Sequence, residues 1–262
     1  MIPKKIHYCW FGGKPLPPLA EKCIESWKKY MPHWEIVRWD ESNFDVNSIP
    51  YIEQAYDAKK YAFVSDYARF DILYREGGLY FDTDVEIIKD LSPIVEKGAF
   101  FGLEEPSLVN AGLGMGCEAG NTFVKEVLDS YQNDNFILPD GKLNLNTVVT
   151  RVSDLLKCYG MTDKDEIQTV ADFTVYPIRF FCPKDTKSAI ITITSDTYTI
   201  HHYDGSWTTD GQKLFERRRA KLYSTLPSSL AKLLSVFPFC AWQITDNGWG
   251  GFMKKVAGKI LK

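Results

Sequence analysis

A helix that ends at two glycines and continues directly into a short apolar strand most constrains the fold of this chain. The helical spacing of aromatic residues over 61–76 puts Phe63, Tyr67, Phe70 and Tyr74 on one face. Gly77 and Gly78 supply the stop signal, and the next three residues, LYF, have the composition of a buried strand. This connection favours an α/β sheet covered by helices.

The same alternation of elements occurs nearer the N-terminus. Residues 5–10 and 34–39 are predicted strands, and residues 19–30 between them have the apolar spacing of a helix. Further strands are predicted at 99–103 and 198–202, with helices near 122–131 and 147–159. Because no repeat or low-complexity linker interrupts the pattern, we expect one main domain over 1–210 and an extension over 211–262.

Two aspartates directly follow the apolar strand of residues 79–81. Asp82 and Asp84 are two residues apart, so an extended backbone points both side chains to one face. Ligands collect at the carboxyl ends of strands in open α/β sheets, and paired carboxylates suit a hard divalent cation. The alternative for such a pair alone is a solvated turn.

The helix before the strand carries a second charged pair. Asp66 and Arg69 are three residues apart and share a helix face. Beside a metal–diphosphate site, such a pair suits sugar hydroxyls and phosphate oxygens. Without that site it would be an ordinary surface ion pair.

Three segments together resemble a known family: IPKKIHYCWFGG at 2–13, SDYARFDILYREGGLYFDTDVE at 65–86 and IHHYDGSW at 200–207. They are similar to the DXD-containing sugar transferases of glycosyltransferase family 32, which includes eukaryotic mannosyltransferases and bacterial capsule or lipopolysaccharide enzymes. The pattern is also distantly similar to the catalytic domains of clostridial glucosylating toxins.

The resemblance implies a GT-A fold, with a Rossmann-like mixed sheet flanked by helices, and a helical C-terminal extension. It implies a retaining transfer of a hexose from a UDP- or GDP-sugar, with UDP favoured, to a saccharide or lipid-linked acceptor in surface polysaccharide synthesis. By the matching motif positions, the expected catalytic residues are Asp66, Arg69 and Asp84.

The resemblance also implies a donor and metal site. The donor would be bound by Trp10, Asp66, Arg69, Asp82, Asn110, Ser206 and Trp207. The metal ligands would be Asp82 and Asp84 with His201 or His202, and a histidine beside carboxylates favours Mn²⁺ over Mg²⁺. For Trp10, the alternative is a buried core position.

One family feature is absent from this chain. Members often carry a Gly-Pro-containing segment at the start of a later helix, where this sequence has LNLNTVVTRV at 143–152. Acceptor contacts assigned from that motif are therefore not carried over.

The C-terminal extension has a charge opposite to that of the main domain. Residues 211–262 contain ten Lys and Arg against two acidic residues, whereas the whole chain has a net charge of −3. Apolar residues recur at helical spacing over 249–261, with lysines off that stripe. We expect peripheral contact between 249–262 and an anionic membrane, and a cytoplasmic protein at its inner face, because no signal peptide or long apolar run is present.

Other classes fit the sequence less well. Six scattered cysteines without a CxxC pair argue against zinc and disulfide scaffolds. A haloacid-dehalogenase-type phosphatase places its DxD on the first strand and has Thr or Val two residues after the second Asp, where this chain has Glu86. A non-catalytic sugar-nucleotide-binding module is the other alternative. Nucleic-acid binding is not expected, because the basic run at 217–219 lacks interleaved aromatics.

Overall fold

The computed structural model describes residues 1–205 and 209–260, with side chains to residue 250 apart from that of Asn247. The strands are β1 (Lys5–Cys9), β2 (Glu35–Trp39), β3 (Gly78–Tyr80), β4 (Val85–Ile87), β5 (Phe100–Glu105), β6 (Leu108–Val109), β7 (Met115–Cys117), β8 (Gln168–Val170), β9 (Phe173–Tyr176) and β10 (Thr199–His201). The helices are α1 (Pro18–Tyr30), α2 (Pro50–Asp57), α3 (Tyr61–Glu76), α4 (Ser92–Val95), α5 (Thr122–Asp129), α6 (Val148–Cys158), α7 (Ile178–Phe181), α8 (Asp210–Thr225), α9 (Ser228–Leu234) and α10 (Val236–Ile260).

The main sheet is mixed. Its strands lie in the order β2-β1-β3-β7-β5-β9-β8, and β6 pairs with β5. Strands β2, β1 and β3 are parallel, whereas β7 runs antiparallel to both β3 and β5. A separate antiparallel pair joins β4 to β10, with Val85 opposite His201. The predicted mixed sheet is confirmed.

Helices cover both faces of the sheet through two apolar clusters. One cluster takes buried side chains from α2, α3, α5 and α6, and the other from α1, α4 and α7. Successive strand residues alternate between them, as the two-residue period of a strand requires. Leu79 and Phe81 pack in one cluster, whereas Tyr80 packs in the other. The arrangement holds the end of β3 rigidly between two layers of helices.

The predicted stop between α3 and β3 has a steric reason. Gly77 follows the helix with φ 62° and Gly78 has φ 105°, both in the region that favours glycine. A Cβ atom on Gly78 would lie 2.7 Å from the Lys5 carbonyl oxygen on the neighbouring strand. The two glycines therefore allow α3 to connect directly to a strand in the centre of the sheet.

A buried histidine ties this connection to the sheet. The Trp39 indole N–H donates to His7 Nδ1 at 3.0 Å, and His7 Nε2 lies 2.9 Å from the Gly77 carbonyl oxygen. Because Nδ1 accepts a bond, the neutral ring carries its proton on Nε2 and donates it to Gly77. Burial lowers the pKa of His7 to about 4. The neutral imidazole is thus a structural link between β1, β2 and the end of α3.

The chain divides into two compact units. One comprises residues 1–183 and 193–203, and the other residues 184–192 and 204–262. The second unit contains α8, α9 and α10, around an aromatic cluster of Phe215, Phe239 and Trp242. A helical C-terminal extension is confirmed, and the division at residue 210 stays a prediction. Gly248 interrupts α10 with φ 65°. Within the described residues, no helix has the length and apolar character needed to cross a bilayer.

Candidate functional site

The first of the two predicted aspartates lies in a turn just after β3. The Asp82 backbone N–H donates to the Gly112 carbonyl oxygen at 2.9 Å, and the Val85 N–H donates to the Asp82 carbonyl oxygen at 3.0 Å. The chain therefore turns between Asp82 and Asp84 instead of remaining extended. The expectation that an extended backbone points both carboxylates to one face is wrong, since β3 already ends at Tyr80. The turn gives each carboxylate its own set of partners.

Arg69 joins the two predicted acidic groups. Its Nη2 lies 3.0 Å from Asp66 Oδ1 and 3.2 Å from Asp82 Oδ1, and its side chain is buried. The Tyr80 hydroxyl donates to the same Asp82 oxygen at 3.1 Å, and the Arg69 guanidinium lies 4.8 Å from the centre of the Tyr80 ring. Burial lowers the pKa of Arg69, but Asp82, Tyr80 and Asp66 outweigh it and hold the pKa above its usual value. Arg69 is a fixed positive charge between α3 and the turn.

Asp66 is also held by the start of α6. The Val148 backbone N–H, at the N-terminus of that helix, lies 3.4 Å from Asp66 Oδ2. Burial raises the pKa of Asp66 to about 6, although Arg69 and the Val148 bond act in the opposite direction. A carboxyl that titrates this close to neutrality at an enclosed site is typical of functional positions. The segment 143–152, which has no Gly-Pro motif, thus contacts the predicted site residue Asp66.

Asp84 is brought to His201 by the β4–β10 pair. His201 Nε2 lies 3.1 Å from Asp84 Oδ1, although the two residues are 117 positions apart in the sequence. Burial lowers the pKa of His201, but the negative charge of Asp84 outweighs burial and raises it. In the described part of the chain, the buried His201 Nδ1 has no hydrogen-bond partner. Two of the predicted metal ligands, Asp84 and His201, are therefore in contact.

His202 points to a different group. Its Nε2 lies 2.9 Å from Glu86 Oε2, which also pairs with Lys22 Nζ at 2.7 Å. Burial raises the pKa of Glu86, but the bonds from Lys22 and His202 outweigh it and lower the pKa. His201 contacts Asp84 through its imidazole, whereas the backbone N–H of His202 donates to the Asp84 carbonyl oxygen at 2.9 Å.

Asn110 is held in one orientation beside the aspartates. Its Oδ1 accepts the Gly112 N–H at 2.7 Å, and its Nδ2 donates to Glu104 Oε2 at 2.7 Å. A Cβ atom on Gly112 would lie 1.9 Å from Asp82 Oδ2, so only glycine fits there without displacing the carboxylate. Asn110 therefore lies close to the donor site that the sequence predicts for it, with its amide already fixed by Glu104.

Three residues at this site were missed by sequence reasoning. They are Tyr80, Glu104 and Gly112. Their roles depend on which strands neighbour each other, and the only local signal was the run of small residues in NAGLGMG. Glu104 also interacts with Tyr203, which follows β10. Burial, Cys182 and Glu104 raise the pKa of Tyr203, whose ring centre lies 4.0 Å from that of His201.

The remaining predicted donor residues lie in different situations. Trp10 is half-buried against the second apolar cluster, and its indole N–H donates to the Lys14 carbonyl oxygen at 2.7 Å. Ser206 and Trp207 lie outside the described residues. Stacking of Trp10 on a base and closure of 206–207 over a diphosphate therefore stay predictions.

The described residues contain no group of three or more His, Cys, Asp or Glu side chains arranged to hold a metal ion. They do contain a pair with the right chemistry, because Asp84 and His201 offer an oxygen and a nitrogen in contact. Asp82 Oδ1 is bonded to Arg69 and Tyr80. The donor set of Asp84 and His201 therefore fits a divalent cation in kind.

Part of the chain that contains these charged residues is similar to known glycosyltransferases. Residues 17–101 match the family model described as a glycosyltransferase sugar-binding region containing the DXD motif. Inositol phosphoceramide mannosyltransferase 3 of Schizosaccharomyces pombe is 31% identical over 134 residues, 48% of this chain and 36% of that protein. Uncharacterized glycosyltransferase L373 of Acanthamoeba polyphaga mimivirus is 35% identical over 107 residues, 38% of this chain and 43% of that protein. The chain thus spans less than half the length of these relatives.

Solved structures with a similar course of the chain were also found. The PaToxG glycosyltransferase covers 60% of this chain and 68% of its own, with a TM-score of 0.44 and 19% identity. A glycosyltransferase involved in the glycosylation of the major capsid of PBCV-1 covers 85% of this chain and all of its own, with a TM-score of 0.45 and 11% identity. The match over 17–101 includes Asp66, Arg69, Asp82 and Asp84, so the predicted resemblance is confirmed for that region.

Proposed function

We propose that this chain, whose residues 17–101 belong to the DXD-containing sugar-binding region of glycosyltransferases, is a retaining hexosyltransferase. It takes the sugar from a nucleotide-diphosphate donor, with UDP-sugars favoured over GDP-sugars, and acts in bacterial surface polysaccharide synthesis. The observation that carries the proposal is the bridge of Arg69 between Asp66 and Asp82. Such a buried guanidinium suits a diphosphate, which a hydrolase of sugars would not require.

The leaving diphosphate is the group that most needs stabilisation in this reaction. Arg69 is charged at all relevant pH values and is already oriented by two carboxylates, so it needs no rearrangement when negative charge develops beside it. Asp66 contacts the same Arg69 nitrogen as Asp82 does, and it would accept a hydrogen bond from a hydroxyl of the donor sugar. Asn110 and Trp10 would bind the sugar and the base, and Ser206 and Trp207 the diphosphate.

The metal in this proposal is a divalent cation, with Mn²⁺ favoured over Mg²⁺. Asp82, Asp84 and His201 would hold it, with His202 as the alternative to His201. When bound, the cation would offset the charge of the donor diphosphate. The preference for Mn²⁺ is supported by the contact of an imidazole with Asp84, because imidazole nitrogen suits Mn²⁺ better than Mg²⁺.

The proposed acceptor is a saccharide or a lipid-linked saccharide at the inner face of the cell membrane. Residues 249–262 would make peripheral contact with anionic lipid, because apolar residues form one stripe there and Lys254, Lys255, Lys259 and Lys262 lie off that stripe. Trp249 is exposed, and the side chains of 251–260 lie outside the described ones. A cytoplasmic location with this peripheral contact completes the proposal.

The test is nucleotide release from a panel of UDP- and GDP-sugars in the presence of Mn²⁺. Wild type should release nucleotide from at least one donor, and Asp84→Asn should lower that release by at least a hundredfold. Asp57→Asn is the matched control, because Asp57 is an exposed aspartate on α2 outside the cluster. A chain that binds a donor but releases nothing would be a binding module. Phosphate release from sugar phosphates without donor turnover would favour a phosphatase.

A further inference from the structure

A row of exposed apolar side chains runs along α9 and the first turn of α10. Leu230, Leu233, Val236 and Phe237 are 42%, 65%, 52% and 73% exposed. The backbone stays helical through Ser235, at φ −67° and ψ −12°, so residues 230, 233 and 237 share one face. We call these four residues the α9 surface.

The α9 surface is not needed to build the core of its own unit. That core is formed by Phe215, Phe239 and Trp242, with Phe215 and Trp242 stacked at 5.2 Å and Phe239 edge-on to both. Phe215 and Ala231 are buried, whereas Leu233 and Phe237 lie outside that cluster. A contiguous row of large exposed apolar residues that does not serve the core is typical of an interaction surface.

A groove adjoins the α9 surface. It has a volume of about 590 Å³ and is lined by Arg218 and Lys221 of α8 together with Leu234, Phe237 and Ala241. Basic and apolar groups therefore lie next to each other at one place. This combination fits a ligand with a negative headgroup and an apolar body.

The two cations that line the groove, Arg218 and Lys221, are both exposed. Within the described part of the chain, no carboxylate forms an ion pair with either of them. The acidic residues of 211–250 have other partners. Glu216 accepts a bond from Gln212 at 3.0 Å, and Asp246 accepts one from Trp242 at 2.5 Å.

We propose that the α9 surface, with Arg218 and Lys221, binds an anionic phospholipid bilayer. The apolar side chains enter the boundary between headgroups and acyl chains, and the cations lie at the level of the phosphates. A second copy of the chain is a poorer occupant, because a two-fold interface would place like charges against each other. This surface extends the proposed contact of 249–262 and is separate from it in the sequence.

Vesicle co-sedimentation of the full chain tests the proposal without donor or acceptor, so its outcome is independent of the proposed activity. Wild type should bind vesicles of equal phosphatidylglycerol and phosphatidylcholine, and should bind pure phosphatidylcholine far more weakly. Arg218→Gln with Lys221→Gln should weaken binding roughly 25-fold, at about fivefold per basic residue. Leu233→Ser with Phe237→Ser should weaken it at least tenfold.

Matched controls separate the surface from general effects of charge and hydrophobicity. Leu145→Ser with Ile167→Ser removes two apolar residues of similar exposure from the other unit, and Lys97→Gln with Lys164→Gln removes two exposed lysines there. Both controls should bind as wild type does, and all variants should melt within a few degrees of it.

Three results would overturn the proposal. Surface variants that bind vesicles as tightly as wild type would assign membrane contact to 249–262 alone. Equal binding of wild type to neutral and anionic vesicles would remove the role of the cations. If wild type does not bind vesicles and sedimentation velocity shows that Phe237→Ser converts a dimer to a monomer, the α9 surface is a contact between copies.

Discussion

The guanidinium of Arg69 lies 3.2 Å from the carboxylate of Asp82, and it is buried where α3 packs beneath the turn after β3. One helix residue thereby fixes the first aspartate of the DXD motif. The same guanidinium also contacts Asp66, so three of the four charged residues predicted for the site in the matched region form one unit. A bound diphosphate at this place would meet a positive group whose position is set before binding.

This relationship predicts that Arg69 cannot be replaced by lysine. Arg69 donates from Nε to the Ser65 carbonyl oxygen at 3.1 Å while its Nη2 contacts both carboxylates, and a single ammonium cannot reproduce that planar set of contacts. We expect Arg69→Lys to lower kcat/KM for nucleotide release on the order of a hundredfold, about 3 kcal/mol of transition-state stabilisation. Arg75→Lys is the control, because Arg75 lies on the same helix and pairs with Asp71 at an exposed site. Equal losses in the two variants would remove the special role of Arg69.

Asp66 predicts an acid limb in the pH profile. Because burial raises its pKa to about 6, the carboxylate that pairs with Arg69 becomes protonated as pH falls through that value. We expect kcat/KM to fall about tenfold per pH unit below 6. In Asp66→Asn the activity should be low and this limb should be absent. A limb that persists unchanged in Asp66→Asn would assign it to another group.

A substitution at Gly112 tests whether activity depends on the position of the Asp82 carboxylate. Its added Cβ would lie 1.9 Å from Asp82 Oδ2, yet its φ lies outside the region reserved for glycine. Gly112→Ala should therefore displace the carboxylate without straining its own backbone, and nucleotide release should fall at least tenfold. Gly250→Ala is the control, since open space surrounds that position. If Gly112→Ala keeps full activity, the exact placement of Asp82 does not matter.

His7 predicts that acid destabilises the fold. The folded pKa of about 4 lies below the unfolded value of 6.5, so the unfolded chain binds more protons between these pH values. The free energy of unfolding therefore decreases as pH is lowered through that window. From pH 7.5 to 5, wild type should lose roughly 2 kcal/mol more of its unfolding free energy than His7→Gln. Urea denaturation at both pH values measures this difference. His33→Gln, a change at an exposed histidine, should behave as wild type does.

The sequence was sufficient for features that depend on neighbouring residues. The helix Tyr61–Glu76, its stop at two glycines and the strand before Asp82 follow from spacing and glycine chemistry alone. The pairing of Asp66 with Arg69 follows from helical periodicity. These local rules identified the charged residues of the site and the α/β class.

The rest depends on pairing between distant segments. His201 reaches Asp84 because β10 pairs with β4, and Gly112 reaches Asp82 because the segment before β7 lies beside the end of β3. No local pattern encodes those pairings. For the same reason, the turn between Asp82 and Asp84 was mistaken for extended backbone, since the Gly112 carbonyl oxygen that accepts the Asp82 N–H belongs to a distant segment. Glu104 was missed because its contribution is to accept a hydrogen bond from the Asn110 amide, a contact that the sequence pattern does not show.

The proposed role of Asp82, Asp84 and His201, with Arg69 beside them, is to bind a nucleoside diphosphate together with a divalent cation. Calorimetric titration of UDP into the full chain, with and without Mn²⁺, tests it most directly. Wild type should bind UDP at least a hundredfold more tightly with Mn²⁺ than without, and Asp84→Asn should lose that gain while Asp57→Asn keeps it. If wild type and Asp84→Asn bind UDP equally tightly in the presence of Mn²⁺, Asp84 does not hold the cation that binds the diphosphate.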